Sequence, residues 1–120
     1  MARVHDVLME LRKQHNFYGR YVIRFPHTTM MLNQYEKDAN GVFLTSIFVD
    51  TEAQGKGEGK KAIRDLQMAC SKTFTTIYLS PANYDRSITL TDLRRFYSSL
   101  GFFRLGSDLM AWVPGLLPTC

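Results

Sequence analysis

From Val49 to Lys60 the chain reads VDTEAQGKGEGK: an apolar run stops, glycines fall at 55, 57 and 59, and Lys56 and Lys60 lie among them. An amphipathic segment follows at once. Such a join between a strand and a helix is suited to binding a phosphate group. The first N–H groups of a helix have no intrahelical acceptor, the positive end of the helix dipole lies there, and glycine lets the main chain approach an anion closely. The two lysines add positive charge. The chemistry these residues can do is therefore the capture of a polyphosphate by the main chain of residues Gln54, Gly55, Lys56, Gly57, Glu58, Gly59 and Lys60.

Two familiar phosphate loops do not match this spacing. A Walker A loop needs a glycine where Gln54 stands and a Ser or Thr where Lys61 stands. The dinucleotide fingerprint G-x-G-x-x-G is met at Gly55 and Gly57 but finds Lys60 in its third place. What remains is Gln54-x-x-Gly57-x-Gly59, which resembles the Q/R-x-x-G-x-G/A motif with which GNAT acetyltransferases hold the pyrophosphate of coenzyme A. Downstream, Phe96-Tyr97-Ser98-Ser99-Leu100-Gly101-Phe102 is similar to the family's F/L-Y-x-x-x-G-F segment.

The resemblance covers about residues 42 to 113 and implies an α+β GNAT-like acyl-CoA N-acyltransferase fold, with a mixed central sheet of about six strands flanked by helices. It implies acetyl-CoA as cosubstrate and direct attack on its thioester by an amine of a small molecule or a protein. Main-chain groups of Ile47, Phe48 and Val49 would line the pantetheine arm, with an N–H near Phe48 facing the developing oxyanion. Tyr97 falls where the family places the tyrosine that meets the departing sulfur. An ordinary phenol is a weak acid for a thiolate, so this role needs either a strengthening hydrogen bond or a tyrosine shifted downward by the positive loop. The other reading is a noncatalytic GNAT-fold domain that binds acyl-CoA or a protein partner.

The elements that must position these residues follow from periodicity. Val4, Val7, Leu8 and Leu11 recur at i, i+3, i+4 and i+7, predicting an amphipathic helix from Arg3 to about Gln14 that ends near Asn16. Tyr18 to Phe25 and Thr28 to Tyr35 have strand composition, separated by Pro26, and turn chemistry at residues 37 to 41 leads into a third strand over Val42–Val49. An antiparallel meander results. Gly59, Ala62, Ile63, Leu66, Ala69 and Cys70 share one helix face, and the strand Thr75 to Ser80 beyond it should lie parallel to Val42–Val49 through a right-handed crossover. Residues 81 to 87 read as a loop. Thr89 caps a last helix striped by Leu90, Leu93, Phe96, Tyr97 and Leu100; Gly101 ends it, and a hairpin turns around residues 106 to 108.

The 120 residues suit a single domain, 1–120, and carry a net charge of +4 with no uninterrupted basic run. A polyanionic cofactor fits the lysine cluster better than nucleic acid does, so no nucleic-acid partner is expected. Two cysteines make no disulfide framework, no apolar run reaches bilayer length, and no signal-peptide pattern opens the chain. A cytoplasmic location without membrane attachment is expected. His5, His15 and His27 show no metal spacing, and no metal is expected. The stretch Thr45-Ser46-Ile47 carries no carboxylate, which leaves Asp50, Glu52, Asp85 and Ser80 as fallback bases. Few residues precede the first clear strand, so part of the sheet or its flanking helices should be less covered, and a homodimer is expected on that ground.

Overall fold

The computed structural model describes residues 3–13, 15–17, 21–81, 89–106 and 108–115. In chain order the elements are α1 (Arg3–Arg12), β1 (Asn16–Phe17), β2 (Val22–Arg24), β3 (Thr28–Gln34), β4 (Gly41–Val49), a short 3-10 turn (Thr51–Ala53), α2 (Glu58–Thr73), β5 (Thr76–Leu79), α3 (Leu90–Ser99), β6 (Phe103–Arg104) and β7 (Met110–Trp112). They form one mixed sheet in the order β1-β2-β3-β4-β5-β7-β6. The expected strands are all present, and a two-residue β1 at one edge brings the sheet to seven. Asn16 opens β1 instead of closing the first helix, which already ends at Arg12. The loop reading for residues 82 to 87 lies outside the described residues.

The strands β2, β3 and β4 form the expected antiparallel meander, and β4 and β5 are parallel. Side chains alternate across the sheet. Met30 and Leu32 of β3 and Val42 and Leu44 of β4 point to one face, where they pack with Val7, Leu8 and Leu11 of α1 and Ile63, Leu66 and Cys70 of α2 in one continuous core. The opposite face is half-exposed: Met31 and Phe48 lie open there, and Tyr35, Phe43 and Tyr78 stack on one another. Gly41 admits this stack, because a Cβ at Gly41 would lie 2.6 Å from the Tyr78 ring.

The helix ends are satisfied locally. Asp92 N–H donates to the Thr89 hydroxyl at 3.1 Å, which caps α3 as its sequence predicts, and Gly101 takes a left-handed φ of 94° beyond its end. The side chain of Gln34 accepts from Val4 N–H at the start of α1 and donates to Gly41 O, so one residue of β3 ties a helix end to a strand end. Gln67, buried on α2, donates to Leu100 O at 2.7 Å and anchors the end of α3.

Among the described residues, one buried side-chain polar atom lacks a hydrogen-bond partner. The hydroxyl of Thr28 is 1% exposed as a residue and has no hydrogen-bond partner. Leaving a buried hydroxyl unpaired costs about 1–3 kcal/mol. Thr28→Val keeps the branched shape that suits a strand and removes that group. The variant is expected to be more stable than wild type by about 1 kcal/mol, measured by denaturant midpoint at unchanged slope. A lower midpoint would mean that the hydroxyl is paired in solution.

Candidate functional site

The site begins where two parallel strands part. Residues Gly41 to Leu44 of β4 pair with Thr76 to Leu79 of β5, and there the pairing stops, although β4 runs on to Val49. Two local features accompany the parting. After Leu79 and Ser80 comes Pro81, which has no N–H to give to a ladder. On β4, Met31 faces Ser46 and Leu32 faces Leu44, so Thr45 is an extra residue, a β-bulge.

That bulge decides which main-chain groups face the open edge. Asp50 N–H donates to His27 O at 2.9 Å, which sets the phase of the antiparallel ladder with β3. In a regular strand a residue's N–H and C=O point to the same side, and alternate residues point to opposite sides. Ser46 and Phe48 therefore direct their groups to β3, while Ile47 and Val49 direct theirs to the edge that β5 has left. Of the three residues expected to line a ligand through the main chain, Phe48 is spent on β3, so an N–H facing the open edge belongs to Ile47 or Val49. The Phe48 side chain is 58% exposed on the opposite sheet face, and the carbonyl of Val49 accepts from Gln54 Nε2 at 3.1 Å. Gln54 thus braces its own loop.

The loop beyond has the conformation that glycine permits. Gly55 and Gly57 have φ of 78° and 81°, and a Cβ built on either would meet nothing within 4 Å. These glycines are required by backbone conformation and not by packing, and the space above them is open. Gly59 is different: its Cβ would lie 3.2 Å from Val49 Cγ2, so its bareness lets the start of α2 close onto β4. The first bond of α2 runs from Lys61 N–H to Gly57 O at 3.1 Å, which leaves the N–H groups of Glu58, Gly59 and Lys60 without a helical acceptor. Lys56 and Lys60 are exposed, and the Glu58 carboxylate is turned to Lys61 Nζ at 3.3 Å. An anion at the loop meets free amides, a helix dipole and two lysines.

Tyr97 lies in the core, 6% exposed, with its ring edge-on to Phe96 and Phe102. Burial pushes its hydroxyl up to about 12. The shift runs opposite to the lowering by the positive loop that the sequence allowed for, because the buried charged form loses its hydration. Among the fallback bases, Glu52 and Ser80 are exposed and Asp85 lies outside the described residues. Asp50 is engaged: Arg24 Nη1 donates to its Oδ1 at 2.9 Å and Nη2 to its Oδ2, a two-pronged pair across 26 residues. Arg24 Nη1 also donates to Thr29 Oγ1 at 3.0 Å. The hydrogen bonds from Arg24 hold the Asp50 carboxyl below the usual carboxylate range, so it is a poor proton acceptor. No signal in the sequence pointed to Arg24. His5 and His27 are exposed and His15 pairs with Asp65 at 3.1 Å; among the described residues no three His, Cys, Asp or Glu side chains are placed to hold a metal ion.

No protein-family model matches this chain, and no curated protein sequence does. Solved structures do. The anti-CRISPR protein AcrVA5 is 25% identical with a TM-score of 0.61, over 76% of this chain and 95% of that one. The ribosomal-protein-S18-alanine N-acetyltransferase from Escherichia coli is 16% identical with a TM-score of 0.60, over 84% of this chain and 74% of that one. An acetyltransferase of the GNAT family from Staphylococcus aureus Mu50 is 18% identical with a TM-score of 0.52, over 91% of this chain and 72% of that one.

This chain has the GNAT fold.

In this GNAT-fold chain the end of β4 that β5 leaves, the glycine loop and the start of α2 lie in one continuous stretch, from Thr45 to Lys60. No helix among its described residues is long and apolar enough to cross a membrane.

Asp50→Asn keeps the shape of the carboxylate and removes its charge. Because the folded-state pKa of Asp50 is depressed, the ionic contribution is fully present above the ordinary carboxylate value near 4 and is lost as pH falls through the depressed one. Wild type is expected to melt above the variant at neutral pH, and the gap should close as pH falls below about 4. Melting curves collected across that range test this. A gap independent of pH would show that the carboxylate is not paired in solution.

Proposed function

We propose that this chain is an acetyl-CoA-dependent N-acetyltransferase that passes the acetyl group to an amine of a small molecule or a protein by direct attack. The observation that carries the reading is the joint presence of an open strand edge on β4 and, immediately after it, a loop of unpaired amides at a helix start. A pantetheine arm and a pyrophosphate need those two features in that order. The Bacillus subtilis N-acetyltransferase YlbP, crystallised with coenzyme A, supports it: it is 19% identical with a TM-score of 0.52, over 78% of this chain and 66% of that one.

When bound, acetyl-CoA supplies an activated thioester. The chain supplies placement and polarity. Amides of Gly55, Gly57, Gly59 and Lys60 hold the pyrophosphate, with Lys56 and Lys60 lending charge, and the open-edge groups of Ile47 and the N–H of Val49 run along the arm as a missing strand would. An N–H on that edge stabilises the oxyanion, a role worth about 3–4 kcal/mol where one such donor has been removed in other enzymes. Tyr97 acts as a hydrogen-bond donor to the departing sulfur. With its hydroxyl at about 12 and an ordinary thiol near 8.5, complete proton transfer to the thiolate is uphill by about 5 kcal/mol, so donation without transfer is the role its burial supports.

A noncatalytic acyl-CoA-binding role is a second reading, favoured by the engagement of Asp50 with Arg24, which takes the carboxylate at the end of β4 out of use as a base. Thiol release from acetyl-CoA against a panel of amines separates the two.

Gly57→Ala places a methyl group in the open space of the loop and strains a left-handed residue by about 1–2 kcal/mol. Gly115→Ala makes a comparable control, with φ of 85° and an equally open surround. Calorimetry is expected to show coenzyme A affinity reduced at least tenfold in the first and unchanged in the second. Equal affinities in both would remove the loop from the binding site. For Tyr97→Phe, ring packing is retained and turnover is expected to fall about a hundredfold. Wild-type turnover in a Tyr97→Phe protein of unchanged melting temperature would take the hydroxyl out of the chemistry.

A further inference from the structure

The site requires an end of β4 that β5 does not hold. Such an end is a mechanical weakness, since the strand that carries the loop has lost its ladder on one side just before the loop begins. Several bonds converge on Asp50, the residue between strand and loop. Its N–H donates to His27 O at 2.9 Å, its carbonyl accepts from Ala53 N–H at 2.9 Å, and its carboxylate takes both prongs of Arg24. Arg24 belongs to β2 and faces Thr29 of β3 in register, so its side chain spans β3 to reach Asp50, steadied by the Thr29 hydroxyl. The pair is sheltered, with side chains 23% and 20% exposed, and a two-pronged guanidinium–carboxylate pair fixes orientation as well as distance.

We propose that Arg24 is a positioning residue for the coenzyme A loop: from two strands away it fixes the corner at Asp50 and so holds the free end of β4, and residues 51 to 60 beyond it, in the binding arrangement. This rests on the reading of that loop as the pyrophosphate site. Asp50 then serves the reaction as an anchor and not as a base. Arg24 touches no reacting atom; it acts through Asp50.

Arg24→Met retains the apolar stem and removes the fork, while Arg24→Lys restores the charge without the two-pronged geometry. Hydrogen exchange on the ligand-free chain is expected to quicken about tenfold over residues 50 to 60 in Arg24→Met and to stay unchanged in α1 and β5. Coenzyme A dissociation, and the KM for acetyl-CoA, should rise about tenfold while kcat stays within about twofold, and Arg24→Lys should fall between the two proteins. Exchange over residues 50 to 60 that is unchanged, or that quickens equally in α1 and β5, would overturn the proposal, the second because it marks general destabilisation. A wild-type chain that fails to bind coenzyme A would instead overturn the reading of the site, and the exchange comparison would still decide whether Arg24 holds the corner.

Discussion

The structure turns on one constraint: β4 pairs with β5 as far as Leu44 and then continues without it. A strand inside a sheet ordinarily satisfies main-chain groups on both sides, because an unpaired buried N–H or C=O is costly. Here the main-chain groups of Ile47 and the N–H of Val49 are left without a partner strand among the described residues, while the Val49 carbonyl accepts from Gln54 Nε2. The extra residue at Thr45 shifts the phase of the strand by one, so that these two residues, rather than Ser46 and Phe48, face the gap. Bulge and parting occur together, and each gives the other its consequence.

The loop that follows depends on that gap in a second way. The start of α2 stands close against the end of β4, where a Cβ on Gly59 would crowd Val49, and two left-handed glycines turn the chain so that successive amides reach the helix start unpaired. Charge is arranged to suit. Glu58, the acid in the first turn, is drawn aside by Lys61, while Lys56 and Lys60 remain exposed. Local conformation, packing and electrostatics all favour an anion at one place.

Two titratable groups are shifted in opposite directions, Tyr97 by burial and Asp50 by its hydrogen bonds with Arg24. Tyr97, inside the core, keeps its proton more firmly than a free phenol, and Asp50, beside Arg24, gives its proton up more readily than a free carboxyl. Neither is tuned to exchange protons near neutrality. One is suited to donating a hydrogen bond, the other to holding a structural charge. On the proposed acetyltransferase reading, catalysis rests on placement and fixed dipoles more than on proton transfer.

Much of this was legible in the chain itself. The stripes of α1 and α2, the capping threonine at Thr89, the meander and the strand–loop–helix join are set by spacing and by conformational preferences within a few residues, so they appear in the sequence directly. The two motifs that resemble those of the GNAT acetyltransferases belong to the same local class, and the fold they implied is the one found. Only the tertiary structure decided the rest. Where β4 leaves β5, and hence which amides are free, depends on register across strands. Whether the Asp50 carboxylate is free or paired depends on an arginine 26 residues away. The state of the Tyr97 hydroxyl depends on how deeply α3 is packed. Periodicity and turn chemistry report on neighbours in sequence, whereas register, ion pairing and desolvation are properties of neighbours in space.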